Sequence, residues 1–376
     1  MNIANLQVQL QDQCENGIVF AQDYLIDNGY YVDAGIRQFI RKMLSARSKE
    51  LQGTPLQLLD VKTAFVNDSK TRAITEVPEK ANEQHYMVPP AFFGYCLGNW
   101  FKYSCCYYGK PPKTNEDTCQ VVEMELSEAE ENMLEIYCHR AQIENGMNIL
   151  DLGCGWGSLS LYLAQKYPDC TITAVSNSSE QRLWINNKMD ALGISNVQVI
   201  TCDVSNFDKT HGKSFKNKFD TILSIEMFEH CKNWTLLLQH LKSYLVSSSK
   251  FGTPSIFIQT FCHVNSPYHF DDKSWMSRNF FSGGIMPSLD LINCMGMNVE
   301  QKWLINGKHY AKTSKQWLQN CDANKKDILA LFEKNLTKQE AWKHYNRWRI
   351  FYIACEETFQ FNNGQEWLIG HYRLTK

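Results

Sequence analysis

The sequence predicts an α/β protein of the doubly wound class with a helical N-terminal lid and a helical insertion near the C-terminus. Two observations carry that expectation. From about residue 126 short apolar runs alternate with amphipathic stretches, the pattern of a parallel sheet with right-handed crossovers. The first of those runs ends in a glycine-rich turn, DLGCGWG. Residues 1 to about 125 instead look helical, with apolar spacing near 3.6 over 17–29 and 33–51.

Helices are expected first, over 17–29 (IVFAQDYLIDNGY) and 33–51 (DAGIRQFIRKMLSARSKEL). NILDLG (148–153) reads as the first strand, because it is short, apolar and stopped by glycine. SLSLYLAQKY (158–167) has a helical apolar stripe. TITAVSN (171–177) is the second strand, and EQRLWINNKMDAL (180–192) is a helix closed by Gly193. VQVITCD (197–203), FDTILSI (219–225) and SIFIQTFC (255–262) supply the third to fifth strands, with a helix around 235–246 between the last two. Residues 265–376 are rich in Trp and Tyr and end in a strand-like run, EWLIGHYRL (366–374). The expected domains are a helical lid at 1–125 and a core at 126–376, with a substrate-binding insertion over about 265–360. Ligands of such sheets bind at the carboxyl ends of the strands.

Composition excludes several roles. A net charge of −2 gives no electrostatic case for nucleic acid. No apolar run approaches the roughly 18 residues of a membrane span, so no membrane insertion is expected. The first residues lack the basic-then-apolar layout of a signal peptide. Fourteen cysteines without a CxxC pair then read as reduced thiols in a cytoplasmic protein. No zinc-like spacing is present, and no metal is expected. The sequence leaves open whether the chain forms a homodimer.

Glycines between a strand and a helix let the backbone turn tightly against a ligand. Dinucleotide sites space them GxGxxG and place an acid about 20 residues on. Here the spacing is GxGxG, through Gly153, Gly155 and Gly157, and the second strand ends in Ser176-Asn177. The acid stands before the turn, at Asp151. This layout resembles the first motif of the S-adenosylmethionine-dependent methyltransferases over 148–203. The resemblance implies a cofactor site in which Asp203 and Val204 lie beside the adenine, and Asn177 and Gln181 at the ribose end.

Three further stretches narrow the resemblance: QHYMVPPAFF (84–93), YSCCYY (103–108) and SIEMFEH (224–230). Together they resemble the cyclopropane-fatty-acid synthase superfamily, in which Tyr103 and Ser104 match positions that touch the cofactor. NGKHYAKTSKQWLQNCDAN (306–324), RWRIF (347–351) and FNNGQEW (361–367) look closer to the plant coclaurine-type alkaloid N-methyltransferases. Cyclopropane synthases hold a bicarbonate with Cys, Glu, His and Tyr. Cys105 and Glu229 match two of these ligands, while Gln259 stands for the His and Ile350 or Phe351 for the Tyr. Glu226, Glu229, His230, Tyr86, Trp348 and Phe351 match amine-pocket positions of the N-methyltransferases. Met87 replaces an acid there and leaves the amine unnamed.

The chemistry fits those residue types. An aliphatic amine is largely protonated at neutral pH and must lose its proton before it accepts a methyl group. Histidine is suited to take that proton, and a carboxylate attracts the ammonium. If a helical turn begins at SIEMFEH, Glu226, Glu229 and His230 share one face. The bland alternative is that carboxylates merely favour a first helical turn. Trp348 and Phe351, three apart, offer ring faces to a cation, although plain packing explains their spacing equally well. The paired Cys105-Cys106 reads as buried packing. The expected function is methyl transfer from S-adenosylmethionine to a small amine, with His230 and Glu229 as base and Glu226 assisting. The rivals are a lipid-modifying cyclopropane-synthase-like enzyme and a non-catalytic scaffold.

Overall fold

The computed structural model describes residues 21–76, 88–111 and 120–376. Residues 21–27 are helical and lead into α1 (Asp33–Glu50) and α2 (Pro55–Thr71). Helix α2 starts where sequence rules place it. Thr54 and Gln57 form a reciprocal capping box, and Pro55 occupies the first turn, where its missing N–H costs nothing. A short helix α3 (Pro90–Cys96) and a longer α4 (Leu126–Arg140) complete the N-terminal part.

The core then alternates as expected: β1 (Asn148–Leu152), α5 (Ser158–Lys166), β2 (Thr171–Ser176), α6 (Ser179–Leu192), β3 (Val197–Thr201), α7 (Val204–Phe215), β4 (Thr221–Ile225), α8 (Trp234–Tyr244) and β5 (Ser255–His263). Gly193 closes α6 in the left-handed conformation, φ 67°, as its sequence position suggested. A two-stranded ribbon of β6 (Tyr268–His269) and β7 (Ile285–Met286) encloses α9 (Trp275–Asn279). After it come β8 (Asn298–Ile305), α10 (Lys308–Ala323), α11 (Lys325–Phe332), α12 (Lys338–Gly364) and β9 (Trp367–Thr375). The regular part of α12 ends before Phe361, where three residues leave helical dihedrals.

The seven strands run in the order β3-β2-β1-β4-β5-β9-β8. The first five are parallel, but β9 lies antiparallel to β5, and β8 antiparallel to β9. The all-parallel expectation therefore holds only for the five strands joined by crossover helices. Strand β8 escaped the sequence reading because it is an edge strand. It is largely solvent-facing until Trp303 and Ile305, so no continuous apolar run marks it. The strand order reverses between β1 and β4, and a crevice opens at the carboxyl ends there.

The N-terminal helices are held against α12 by ion pairs. Arg37 donates to Glu357 and Glu356, both at 2.7 Å, and the two carboxylates are nearly buried. Arg347 grips Asp27 at 2.6 Å. No helix among the described residues is long and apolar enough to cross a membrane.

Candidate active site

The glycine turn begins the site. Gly153, Gly155 and Gly157 all have positive φ, at 84°, 53° and 80°, but they do so for different reasons. A Cβ on Gly153 would come within 2.5 Å of Met227 Cγ, and one on Gly157 within 2.7 Å of Ile185 Cγ1. A Cβ on Gly155 would meet nothing within 4 Å. The outer two glycines let the turn pack, whereas Gly155 faces open space. Gly153→Val combines a disfavoured dihedral with a clash. It is expected to destabilise the fold by about 1–3 kcal/mol and to abolish cofactor binding, read by thermal melting and calorimetric titration. Below the turn, Asp151 is buried and accepts from Ser160 Oγ at 2.6 Å. Desolvation raises its carboxyl to about 6.

A cleft of about 860 Å³ opens above Gly153 and Gly155, bordered by Asn177, Gln181, Asp203, Val204, Glu226, Met227 and His230. A second chamber of about 570 Å³ adjoins it, with Tyr103, Ser104, Asp151 and Trp156 in its wall. Gly153, Gly155, Gln181 and Glu226 border both, so the two form one site divided by the turn. Asp203 caps α7 by accepting from Ser205 N at 2.7 Å. Gln181 accepts from Ser176 Oγ at 2.6 Å, but its buried Nε2 finds no acceptor among the described residues. A buried donor left without an acceptor costs free energy unless a ligand supplies one.

The SIEMFEH segment departs from the sequence expectation. It does not begin an α-helix. Glu226 takes a left-handed conformation, φ 50°, uncommon for a residue with a side chain. A 3₁₀ turn over Phe228–His230 follows. The three polar side chains therefore do not share one face. Glu226 and His230 border the cleft, while Glu229 turns inward, fully buried, and accepts from Phe261 N at 2.7 Å. Its Oε2 has no hydrogen-bond partner among the described residues, and burial drives its carboxyl well above the ordinary range.

Glu226 is the most heavily bonded group in the site. Its Oε1 accepts from Cys105 N at 2.9 Å and Gln259 Nε2 at 2.6 Å, and its Oε2 accepts from Tyr310 OH at 2.7 Å. Desolvation raises its carboxyl, while Lys102 and the three donors pull the other way. The His230 ring lies parallel to Phe281, with centroids 5.4 Å apart and planes 6° apart. Burial lowers the imidazole to about 4, so it is neutral at pH 7 and keeps a lone pair to accept a proton.

Tyr103 and Ser104 are held by a loop that sequence reading did not resolve. Glu130, buried on α4, accepts from the backbone N–H groups of Gly98, Trp100 and Lys102 at 2.9, 2.8 and 3.2 Å. Lys102, itself buried, donates through Nζ to Ser104 Oγ at 2.6 Å and Cys105 O at 2.5 Å. The signal for Lys102 is its place directly before YSCCYY. Nothing local marks Glu130, which meets the loop from 30 residues away. Cys105 and Cys106 are fully buried, in line with a packing role, and desolvation pushes the Cys106 thiol far up.

Trp348 and Phe351 do point the same way from α12, with ring centroids 5.7 Å apart. Neither borders either of the two chambers. Phe351 stacks on Phe280 at 4.4 Å, and Trp348 packs against Phe92, Phe93 and Phe280 at 4.8 to 5.7 Å. Phe281, absent from the sequence expectation, is the ring that meets His230. Tyr86 and Met87 lie outside the described residues.

Comparisons with known proteins give the family and the fold. The family model for mycolic acid cyclopropane synthetase matches residues 74–367. (S)-Coclaurine N-methyltransferase of Thalictrum flavum subsp. glaucum is 37% identical over 311 residues, 80% of this chain and 80% of that protein. The enzyme of the same name from Papaver somniferum is 32% identical over 374 residues, 95% of this chain and 99% of that one. A crystal structure of coclaurine N-methyltransferase bound to N-methylheliamine and SAH superimposes with a TM-score of 0.85 at 32% identity, covering 96% of this chain and 100% of the other.

Proposed function

From its sequence and its fold the chain belongs to the mycolic acid cyclopropane synthetase family, and on that premise we propose that it is an S-adenosylmethionine-dependent N-methyltransferase of a small, aromatic or alkaloid-like amine. One observation carries the reading: a neutral imidazole, His230, and a carboxylate, Glu226, border the same cleft as the glycine turn.

The site's own residues fit the cofactor. Gly155 leaves its backbone open to a ligand, and the unpartnered Nε2 of Gln181 needs an acceptor such as a ribose oxygen. Asn177 and Gln181 would hold the ribose end, Asp203 and Val204 the adenine end, and Tyr103, Ser104 and Asp151 the amino-acid end. When bound, S-adenosylmethionine supplies an electrophilic methyl group on a sulfonium. The protein's part is then positioning and proton management. Glu226 attracts the substrate ammonium, and His230 Nδ1 or Nε2 accepts the proton so that nitrogen presents its lone pair. Phe281 fixes the imidazole plane by stacking. Glu229, placed behind the turn, anchors it to β5 through Phe261 N and acts on His230 only through that anchoring.

A second feature separates this site from one built for bicarbonate. Gln259 Oε1 accepts from Tyr137 OH at 2.8 Å and from His371 Nε2 at 2.6 Å, while its Nε2 donates to Glu226. An amide engaged on both ends by protein is a poor ligand for an added anion, which weighs against lipid cyclopropanation. The purified protein is expected to move radiolabelled methyl from S-adenosylmethionine to members of a mixed panel of benzylic and isoquinoline amines. Label recovered only in phospholipid vesicles would overturn the assignment in favour of a lipid acceptor.

A further inference from the structure

Behind Glu226 a chain of buried polar groups crosses the antiparallel part of the sheet. Gln259 on β5 stands directly opposite His371 on β9, and His371 opposite Trp303 on β8. Arg140, in the last turn of α4, places Nη1 2.9 Å from His371 Nδ1 and its guanidinium 5.1 Å from the centre of the Trp303 ring. Arg140, His371 and Gln259 are all at most 3% exposed. Burying a guanidinium is costly, and nothing in the methyl transfer itself uses one so far from the cleft.

The donor inventory fixes how this chain is polarised. Arginine only donates, so His371 Nδ1 must accept. Burial, and then the nearby Arg140 and Lys102 cations, hold the imidazole neutral. Its one proton therefore sits on Nε2 and points at Gln259. Both that N–H and Tyr137 OH converge on Gln259 Oε1. The amide has one orientation left, with its NH₂ group towards Glu226 Oε1 at 2.6 Å. In the flipped orientation NH₂ would face N–H, and the amide oxygen would face a carboxylate oxygen.

We propose that Arg140, His371 and Gln259 are positioning residues that lock a hydrogen-bond donor against Glu226 and keep it an anionic acceptor for the substrate's ammonium. The inference rests on the reading of Glu226 as the ammonium-attracting group. The charged and titratable groups facing Glu226 from its other sides do not duplicate the lock. Lys102 adds positive charge without direct contact, and the Tyr310 phenol donates to the other oxygen. The Cys105 backbone N–H donates to the same oxygen as Gln259, and the thiols of Cys106 and Cys355, the Tyr137 phenol and the acid of Glu229 offer no cation. The lock also gives β8 and β9 a task beyond closing the sheet, since β9 contributes the histidine and β8 the ring under the guanidinium.

Three variants test the lock: His371→Leu, Arg140→Met/His371→Leu, which removes the buried charge together with its acceptor, and His371→Gln, which restores a donor to Gln259. Without His371 the Gln259 amide is free to turn and Glu226 loses a hydrogen bond to its charge, which is expected to lower kcat/KM for the amine roughly tenfold or more in the first two, with calorimetric affinity for S-adenosylhomocysteine unchanged and most activity recovered in the third. Infrared difference spectra against Glu226→Gln, taken at neutral pH without substrate, should show an ionised Glu226 in the wild type and a protonated fraction in His371→Leu. Wild-type rates and spectra in both leucine variants, or parallel losses of cofactor affinity and Tm, would overturn the proposal. If the wild type methylates no amine, the functional assignment fails, and the spectra still decide whether the lock exists.

Discussion

The His230→Ala variant is expected to lose roughly a hundred- to ten-thousand-fold in kcat, the range over which a positioned acid or base contributes. Its affinity for S-adenosylhomocysteine should stay within about twofold of wild type. The asymmetry follows from the placement of the ring. His230 follows β4, whereas Asn177, Gln181 and Asp203 follow β2 and β3 beyond β1 in the sheet, and its ring stacks on Phe281. Its imidazole is held near 4 by burial, a value depressed below the usual one, so the neutral form prevails across the physiological range. The kcat/KM profile of the wild type should accordingly show no loss attributable to His230 until pH falls towards 4. Exclusion of solvent disfavours the ammonium as it does any charge and so promotes proton loss to His230, while the adjacent Glu226 carboxylate opposes it. Equal losses of turnover and cofactor affinity would make His230 a structural residue and leave the base unassigned.

The parts of this site that can be read in the sequence are those encoded locally. A glycine at every second position after an apolar run dictates a tight left-handed turn, and Gly153, Gly155 and Gly157 form one. The Asp151 and Gln181 positions follow from register along β1 and α6. The direction of Glu229 does not, because it depends on Glu226 adopting a left-handed conformation that only the surrounding bonds from Cys105, Gln259 and Tyr310 enforce. These three partners lie 121, 33 and 84 residues away from it. Likewise His371 and Arg140 carry no local mark inside ordinary strand and helix patterns. They become legible only when β9 is laid antiparallel beside β5. Strand β8 is hidden for the opposite reason, since an edge strand need not carry an apolar signature.

Trp348→Ala is expected to act on stability before it acts on substrate. The side chain is 2% exposed and touches the rings of Phe92, Phe93, Tyr103, Phe280, Phe351 and Tyr352. Truncating a buried tryptophan in a close-packed interior removes its transfer free energy and leaves a cavity, a loss of about 3–5 kcal/mol. For a chain of 376 residues that loss lowers Tm by roughly 4–6 °C. Were Trp348 a ring that contacts the ammonium, the variant would instead raise KM for the amine selectively, because a cation over an aromatic face contributes about 0.5–2 kcal/mol. The close packing of Trp348 among other rings, with the Phe280 ring centre 5.1 Å away, and its absence from the lining of both chambers make the first outcome the expected one. Thermal melting and paired KM values for amine and cofactor distinguish the two. A drop in Tm with both KM values shifting together assigns Trp348 to the scaffold that holds Phe280 and Phe281 in place. An unchanged Tm with a raised amine KM would place Trp348 in the pocket wall.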